Sequence, residues 1–337
     1  MTQNPDYILR IKDLHTQFIV GSRTVKAVDG VDLNVRRGKT LGLVGESGCG
    51  KSVTAHSIMK LLPKAGRIPC GEIMLNLKNG EEFDILKLRS NSKRLRQLRG
   101  RDISMIFQSP MSSLNPVYKV GDQIVEMVQS HEKCSKNEAM KRAIKMLSEL
   151  GIPQAEERVK DYPHQFSGGM KQRVMIAMGM ICHPEILIAD EPTTALDVTI
   201  QAQILNLMLQ VQEKYGITII MITHNMGIVA QMADDIAVMY MGKVVESGTK
   251  EDIFLRPSHP YTRALLKSVP VLGIGGSERL VSIRGNTPDP SEMPEGCAFR
   301  DRCDFASEKC FETPPNVCLG DTHCVRCWNC GGGNCNA

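Results

Sequence analysis

The sequence predicts an α/β fold, with a largely parallel sheet covered by helices on both faces, followed by a short tail rich in cysteine. Three observations predict it. A glycine-rich loop stands between an apolar strand and a helical stretch at residues 44–53, and strand patterns alternate with helical patterns up to about residue 248. Eight of the twelve cysteines fall between residues 297 and 335. Alternating strands and helices are typical of a parallel sheet.

Composition and charge limit the classes of protein to consider. The 337 residues suffice for one large α/β domain with an appendage, and 42% hydrophobic and 23% charged residues are typical of a soluble globular protein. A net charge of +4 is too small at this size to indicate a nucleic-acid partner. We find no apolar run of about 18 residues and no signal-peptide core in the first residues. We therefore expect a cytoplasmic protein that reaches a membrane only through a partner.

The first 150 residues carry short strands and several helical stretches. Residues 8–19 and 25–35 alternate as strands do, and the apolar strand 40–44 leads into the glycine-rich loop. A helix is predicted over 52–62, where Pro63 stops it. The other predicted elements are strands at 72–77 and 102–107, a basic stretch with leucines at helical spacing at 87–101, and two amphipathic helices between 120 and 150.

The rest of the chain continues the alternation and then loses it. A helix is predicted to begin at Ser167. The later elements are a strand at 185–190, a helix at 199–214, a strand at 217–222, a helix after the turn 223–225, and strands at 235–240 and 243–248. After Pro270 the stretches GIGG and NTPDP break the periodicity. We therefore place a domain boundary near residue 270, between a main domain at 1–270 and an appendage at 271–337.

The glycine-rich loop is the most specific feature of the sequence. Residues 45–52, GESGCGKS, fit the pattern G-x-x-x-x-G-K-[ST] after a strand and before a helix. Its glycines leave backbone N–H groups free to receive phosphate oxygens beside the positive end of the helix. Lys51 would reach the outer phosphates, and the Ser52 hydroxyl would bind Mg²⁺. The loop therefore predicts a site for a nucleoside triphosphate.

Two acidic residues close the apolar strand 185–190. Asp190 stands where it could hold Mg²⁺ through water, and Glu191 stands where a carboxylate could polarise an attacking water. Taken alone, two acids after an apolar strand are more often a solvated strand end. Their position downstream of a phosphate loop favours the catalytic interpretation.

A second glycine-rich helix start, FSGGMKQR at 166–173, lies between these two features. Ser167 is a suitable N-cap, and the two glycines leave backbone N–H groups uncovered. An ordinary capped helix would have the same residues. A second anion cradle in a chain with one nucleotide loop makes sense if it serves the nucleotide of another molecule.

With these motifs the sequence resembles the ATP-binding subunits of ABC transporters, over about residues 7 to 330. The motifs fall in family order: the Walker A loop Gly45–Ser52, the Q-loop Gln108, the signature Ser167–Gln172 with Met170 where many families have glutamine, the Walker B pair Asp190-Glu191, the D-loop Ala195-Leu196-Asp197 and the switch His224. Phe18 resembles the aromatic residue that stacks on adenine in this family.

The resemblance implies an ABC-type P-loop nucleotide-binding domain with a RecA-like core, an antiparallel β-subdomain and an α-helical subdomain at about 110–180. It also implies a dimer in which each ATP lies between the Walker A loop of one subunit and the signature of the other. The implied catalytic residues are Glu191, His224 and Gln108. The implied contacts to ATP and Mg²⁺ are Phe18, Gly45, Ser47, Gly48, Cys49, Gly50, Lys51, Ser52, Val53, Gln108 and Asp190. The implied contacts to the opposite subunit's ATP are Arg158, Gln165, Ser167, Gly168, Gly169 and Asp197.

Four stretches resemble the D-type ATPase of the peptide-importer branch in particular: VGESGCGKS, MIFQSPMSSLNP, YPHQFSGGMKQR and, most specifically, HPYTRALLKSVP at 259–270. The resemblance implies import of dipeptides or oligopeptides, with nickel or glutathione as alternatives. The implied partners are two transmembrane permease subunits, a paralogous ATPase subunit or a second copy of this chain, and an extracytoplasmic solute-binding protein. No nucleic-acid partner is expected. The expected location is the cytoplasmic face of the inner membrane, as a peripheral subunit.

The clustered cysteines predict a metal site, since a disulfide scaffold would spread its bridges through the fold. The predicted ligands, which match the spacing of this family's tail, are Cys297, Cys303, Cys310 and Cys327. In some members that tail binds a 4Fe–4S cluster; Zn²⁺ would use the same thiolates, and free thiols without metal are a third alternative. The additional cysteines are Cys318, Cys324, Cys330 and Cys335, of which Cys324 is an alternative fourth ligand. We favour a metal site that stabilises the tail over one that carries a redox signal, because a tail with so few apolar residues would fold poorly without a bound metal.

Two other classes of protein stay open from the residues alone. A soluble ABC-type ATPase acting on nucleic acid or ribosomes would use the basic stretch 87–101, but such proteins generally carry two cassettes or a long coiled coil between the Walker motifs. The stretch is more simply a solvated helix with Leu95 and Leu98 facing inward. An iron–sulfur redox protein with incidental ATPase activity would require a cluster that titrates with activity.

Overall fold

The computed structural model describes residues 7–108, 113–194, 196–268 and 283–330. These residues divide into two compact units. The first unit comprises the chain up to residue 75, residues 83–86 and the chain from residue 221 onward; the second comprises 76–82 and 87–220. In the part of the chain that is described, no helix combines the length and the apolar character needed to cross a membrane.

The order of elements confirms the predicted alternation of strands and helices. The strands are β1 (Tyr7–Val20), β2 (Arg23–Arg36), β3 (Thr40–Val44), β4 (Gly66–Arg67), β5 (Glu72–Asn76), β6 (Glu82–Asp84), β7 (Ile103–Ile106), β8 (Ile186–Asp190), β9 (Thr218–Thr223), β10 (Asp235–Tyr240), β11 (Lys243–Thr249), β12 (Asn316–Cys318) and β13 (Cys324–Arg326). The α-helices are α1 (Lys51–Ile58), α2 (Lys93–Gln97), α3 (Val120–His131), α4 (Lys136–Glu149), α5 (Ala155–Arg158), α6 (Gly168–Met180), α7 (Val198–Tyr215), α8 (Met226–Met232), α9 (Lys250–Leu255) and α10 (Pro260–Lys267).

An antiparallel sheet in the first unit is built on a long hairpin. β1 and β2 pair along their length around a turn in which Gly21 has a φ of 61°. β4 and β5 also pair antiparallel with β1. Leu9, Ile11 and Leu14 of β1 are buried, and the pairing with β2 is irregular between Ile11 and Leu14, where strict alternation is interrupted.

A second sheet in the first unit carries the glycine-rich loop. β3 is buried at every residue and pairs in parallel with β10, to which β11 is antiparallel. The hairpin of β12 and β13 extends the sheet beyond β11. Helix α8 packs so closely on β3 that a Cβ on Gly42 would lie 2.9 Å from Val229 Cγ1. The glycine-rich loop therefore follows a fully buried strand that helix α8 covers closely.

The second unit holds two parallel strands and six of the helices described. β7 and β8 pair from Ile103 opposite Ile186 onward, and every residue of β8 is buried. Helices α3 and α4 are amphipathic, as predicted for residues 120–150, and each buries one face. Helix α6 begins directly after Ser167, which is its N-cap, and this confirms the predicted start.

The basic stretch 87–101 is not one continuous helix. Only Lys93–Gln97 is α-helical, because Ser92 caps its N terminus and Gly100, with a φ of 98°, breaks the segment that follows. Leu95 and Leu98 are fully buried, as predicted. Arg94 forms ion pairs with Glu81 and Asp102, so part of the positive charge is already neutralised within the unit.

Some predictions fall outside the described residues: the boundary near residue 270, the segment 109–112 of the Q-loop stretch, Ala195 of the D-loop, and Cys335. The described tail, 283–330, belongs to the first unit. There Phe299 joins a buried cluster that includes Val44, Tyr240 and Tyr261. The tail therefore shares a hydrophobic core with β3, from which the glycine-rich loop leaves, and with β10.

Candidate nucleotide site

The loop between β3 and α1 has a backbone that requires glycine. Gly45, Gly48 and Gly50 have φ values of 150°, 80° and 105°. A Cβ on Gly45 would lie 2.1 Å from the carbonyl oxygen of Met239, and one on Gly50 would lie 2.3 Å from that of Ala27. The loop is therefore seated directly on neighbouring backbone at both ends, whereas Gly48 has open space beside it.

Lys51, the first residue of α1, is buried and bent over this loop. Its ammonium donates to the carbonyl oxygens of Gly45 at 2.7 Å and Glu46 at 2.9 Å. Cys49 Sγ lies 3.6 Å from the same nitrogen, and burial raises the pKa of this thiol. The other predicted contacts of the loop are Ser47, which is exposed, and Ser52 and Val53, which are half-buried in the first turn of α1. A cation held on a loop of backbone N–H groups is placed to bind an anion.

Strand β8 ends in two carboxylates that lie in different environments. Asp190 is buried, and Glu191 follows it with a φ of 46°, which is uncommon for a residue other than glycine. Glu191 Oε2 accepts hydrogen bonds from Gln108 Nε2 at 3.0 Å and from Thr194 Oγ1 at 2.9 Å. The structure thus brings together two residues that the sequence predicted separately, and two donors orient the carboxylate.

The start of α6 presents uncovered backbone on a fixed framework. Ser167 Oγ accepts the N–H of Met170 at 3.4 Å, and both Ser167 and Gly168 are exposed. A Cβ on Gly169 would lie 2.7 Å from Ile200 Cγ2, so α6 begins in tight contact with α7. Asp197 caps α7 by accepting the Ile200 N–H at 2.9 Å. The positive end of a 13-residue helix is therefore accessible to an anion.

The other predicted site residues have partners or settings of their own. Arg158 forms an ion pair with Asp161 at 3.0 Å, and Gln165 Oε1 accepts the N–H of Tyr162 at 2.8 Å. Phe18 is half-buried on β1, with Cε1 3.1 Å from the position of a Cβ on Gly66. His224 is exposed directly after β9. Arg158 and Gln165 would have to leave these partners to reach a nucleotide on another subunit.

Four tail thiols lie near one another. Cys303 interacts electrostatically with Cys297, Cys310 and Cys327, and Cys297 interacts with the latter two. Burial raises the pKa of Cys297, and it raises that of Cys303 to about 11. A hydrogen bond with Cys330 lowers the pKa of Cys327 to about 7.

Cys324 is not available as the alternative fourth ligand, and that prediction is wrong. Its sulfur forms a disulfide with Cys318, which links β12 to β13. The fourth thiol near Cys297, Cys303 and Cys310 is that of Cys327.

Two family models match this sequence. The ABC transporter model matches residues 28–194, and the model described as oligopeptide/dipeptide transporter, C-terminal region, matches residues 245–310. Over 323 residues the chain is 50% identical to the dipeptide transport ATP-binding protein DppD of Bacillus subtilis (strain 168), covering 95% of this chain and 94% of that protein. The chain belongs to the ATP-binding subunits of ABC transporters.

Other members of this ABC family agree. The oligopeptide transport ATP-binding protein OppD of Bacillus subtilis is also 50% identical, over 95% of this chain and 88% of its own length. Among solved structures, the dimeric bacterial ABC transporter cassette MJ0796 has a TM-score of 0.63 at 25% identity, covering 72% of this chain and 98% of the cassette. A dimeric post-hydrolysis state of the same cassette, bound to ADP and Pi, has a TM-score of 0.62. These likenesses confirm the ABC-type P-loop fold.

Sequence reasoning missed several residues of this ABC subunit that contact its predicted site. Thr194 bonds Glu191, and Tyr261 and Arg302 bond Glu46 of the Walker A loop. Thr194 follows the Walker B pair by three residues, so its proximity was a usable signal. Tyr261 lies in the branch-specific stretch 259–270. That stretch pointed to the residue but did not predict its contact with the Walker A loop. Nothing in the sequence marks Arg302 among its basic neighbours.

Proposed function

We propose that this chain is the ATP-hydrolysing subunit of an ABC importer for dipeptides or oligopeptides. One observation carries the proposal: a single chain supplies two anion cradles, the Walker A loop in the first unit and the glycine-rich start of α6 in the second. The peptide substrate is supported by the dipeptide and oligopeptide transport functions named for two relatives and by the match at 245–310. Import of nickel or glutathione by the same mechanism is the alternative.

The Walker A loop would hold the phosphates of ATP. Its N–H groups donate hydrogen bonds to phosphate oxygens. The Lys51 ammonium, which now donates to the carbonyls of Gly45 and Glu46, would donate to the outer phosphates instead. The Ser52 hydroxyl would bind Mg²⁺ directly and the Asp190 carboxylate would hold it through water, and the ion would neutralise phosphate charge. Phe18 stacks on the adenine ring. The remaining loop contacts are Gly45, Ser47, Gly48, Cys49, Gly50 and Val53.

Hydrolysis needs a base at the attacking water. Glu191 accepts a proton from the water as the water oxygen forms a bond to the γ-phosphorus. The bond from the γ-phosphorus to ADP breaks, and ADP is the leaving group. Gln108, which bonds Glu191 at 3.0 Å, reports the occupancy of the site to the membrane partner. His224 holds the γ-phosphate and the water.

The facing subunit completes the site. The N–H groups at Ser167, Gly168 and Gly169 bind the γ-phosphate of the other subunit's ATP, with Asp197 beside them. Arg158 and Gln165 approach the same nucleotide after releasing Asp161 and Tyr162. The dimer forms with a paralogous ATPase or with a second copy of this chain. It works on two permease subunits at the cytoplasmic face of the membrane, supplied by an extracytoplasmic solute-binding protein.

Ser167→Arg tests the shared site. The arginine would fill the space that a facing nucleotide needs. We therefore expect the assembled transporter to lose cooperative ATP hydrolysis and to turn over ATP at about one tenth of the parent rate or below. Each single subunit should still bind ATP in a fluorescence titration. Ser148→Arg is the matched control, because Ser148 is exposed on α4 and the change adds the same charge. Normal cooperative hydrolysis by Ser167→Arg would contradict the shared-site proposal.

For the tail, we propose a 4Fe–4S cluster held by Cys297, Cys303, Cys310 and Cys327. Mutually interacting, partly buried thiols are costly to ionise together without a cation, and thiolates are the soft ligands that such a cluster takes. Zn²⁺ on the same four thiolates is the alternative, and free thiols without metal are a third. The cluster would join four segments of the tail.

Anaerobic purification tests this assignment. We expect a brown protein with iron and acid-labile sulfide, whose absorbance near 400 nm is lost in Cys303→Ser. Cys134→Ser, outside the tail, is the control and should keep the colour. A colourless protein with stoichiometric zinc, or with no metal, would contradict the proposal.

A further inference from the structure

A buried arginine from the tail forms an ion pair with a glutamate of the Walker A loop. Arg302 Nη1 donates to Glu46 Oε2 at 2.6 Å, and Nη2 donates to Oε1 at 2.9 Å. The pairing is bidentate, the strongest geometry available to these two groups. The Arg302 side chain is 5% exposed, and Thr287 Oγ1 adds a third donor to the Glu46 carboxylate, 3.3 Å from Oε2.

The guanidinium is itself held in place from several sides. Its Nε donates to the carbonyl of Arg284 at 2.9 Å, and Nη1 also reaches the Tyr240 hydroxyl at 3.3 Å. The rings of Tyr240 and Phe299 each lie 5.8 Å from the guanidinium carbon. These contacts fix where the arginine points, so it can position another group instead of following it.

The backbone of Glu46 is bonded on both sides of its side chain. Its N–H donates to the Tyr261 hydroxyl at 2.8 Å, and its carbonyl accepts from the Lys51 ammonium at 2.9 Å. Tyr261 belongs to α10, which His259 caps by accepting the Tyr261 N–H at 3.0 Å. Burial lowers the pKa of His259 to about 4, so the capping ring is neutral near pH 7. A shift of Glu46 therefore moves the carbonyl on which the phosphate-binding lysine rests.

We propose that Arg302, together with Tyr261, is a positioning residue for ATP, and that the C-terminal region sets the nucleotide affinity by clamping the Walker A loop through Glu46. The inference rests on the proposed ATP site. Backbone N–H groups bind phosphate well only when they are held in a converging arrangement. Tyr261, Thr287 and Arg302 supply that restraint from positions far along the chain from the loop. It also gives Tyr261 of the stretch 259–270 a role at the nucleotide.

The test is titration of the full-length chain with a fluorescent ATP analogue. We expect Arg302→Ala to bind the analogue about tenfold more weakly, since a charge-assisted bidentate contact restrains the loop. Arg302→Lys should be intermediate, because lysine keeps the charge but cannot bridge both carboxylate oxygens. Glu46→Gln removes the negative charge and one of the two acceptor oxygens of the pair while leaving the tail intact. The double variant Glu46→Gln/Arg302→Ala should have an affinity for the analogue within about twofold of that of the weaker-binding single variant, because both changes remove the same interaction.

Arg300→Ala is the matched control, because Arg300 lies in the same 3₁₀ turn and bonds Asp301 and the Glu295 carbonyl instead of the loop. It should bind the analogue as the parent does. A merely structural arginine would lower the melting temperature of Arg302→Ala and leave the affinity of well-folded Glu46→Gln and Arg302→Lys unchanged. That result, or effects that multiply fully in the double variant, would overturn the clamp. A parent chain that fails to bind the analogue would instead overturn the proposed ATP site.

Discussion

Replacing Glu191 by glutamine should lower ATP turnover by about 100-fold or more while leaving ATP binding intact. The amide keeps the shape of the carboxylate but cannot take the proton of the attacking water, so the chemical step loses its base. Gln108 and Thr194 both donate to Glu191 Oε2, and an amide oxygen can still accept from them. Phosphate release from the assembled transporter measures the turnover, and a fluorescent ATP analogue measures the binding.

Glu213→Gln is the control for this change, because Glu213 is an exposed carboxylate on α7. It should turn over at the parent rate. If Glu191→Gln also turns over at the parent rate, Glu191 is not the base. If it binds ATP much more weakly than the parent, the residue serves the nucleotide and not the water.

Lys51→Ala should weaken ATP binding by about 10- to 100-fold. A hydrogen bond to a charged group contributes roughly 1.5–3 kcal/mol, and the alanine removes the buried ammonium that would bind the outer phosphates. The same change leaves the carbonyl oxygens of Gly45 and Glu46 without a donor they now share. Titration with the fluorescent analogue, read beside the melting temperature, separates lost affinity from lost folding.

The matched control is Lys64→Ala, at an exposed lysine beyond the end of α1. It removes the same charge and should bind the analogue as the parent does. Equal affinity of Lys51→Ala and the parent would contradict the assignment of the loop as a phosphate cradle.

Features that are encoded within a few residues could be predicted from the sequence. The loop 45–52 combines glycines with Lys51 and Ser52 in one register, and its glycines prove necessary because a Cβ would meet backbone oxygen. The buried strand β8 and the cap at Ser167 likewise depend on local pattern alone. Each of these features therefore appears at the predicted place.

Features that depend on contacts between distant residues could not be predicted. Arg302 and Glu46 are 256 positions apart, and Gln108 and Glu191 are 83 positions apart. The basic stretch looked helical because its leucines have helical spacing, but a positive φ at Gly100 breaks it, and spacing says nothing about backbone conformation. The disulfide of Cys318 and Cys324 was missed because the clustered cysteines were interpreted as metal ligands, and their spacing does not show that β12 and β13 pair with these two residues opposite each other.

The central claim is that ATP is enclosed between two subunits, and the mass of the Glu191→Gln chain in saturating Mg-ATP tests it most directly. Light scattering would be recorded on the chain alone and mixed with the proposed paralogous subunit, each with and without nucleotide. We predict that ATP doubles the mass in at least one of these samples, and that adding Ser167→Arg returns it to that of a single chain. A mass that stays at one chain in every sample would contradict the account.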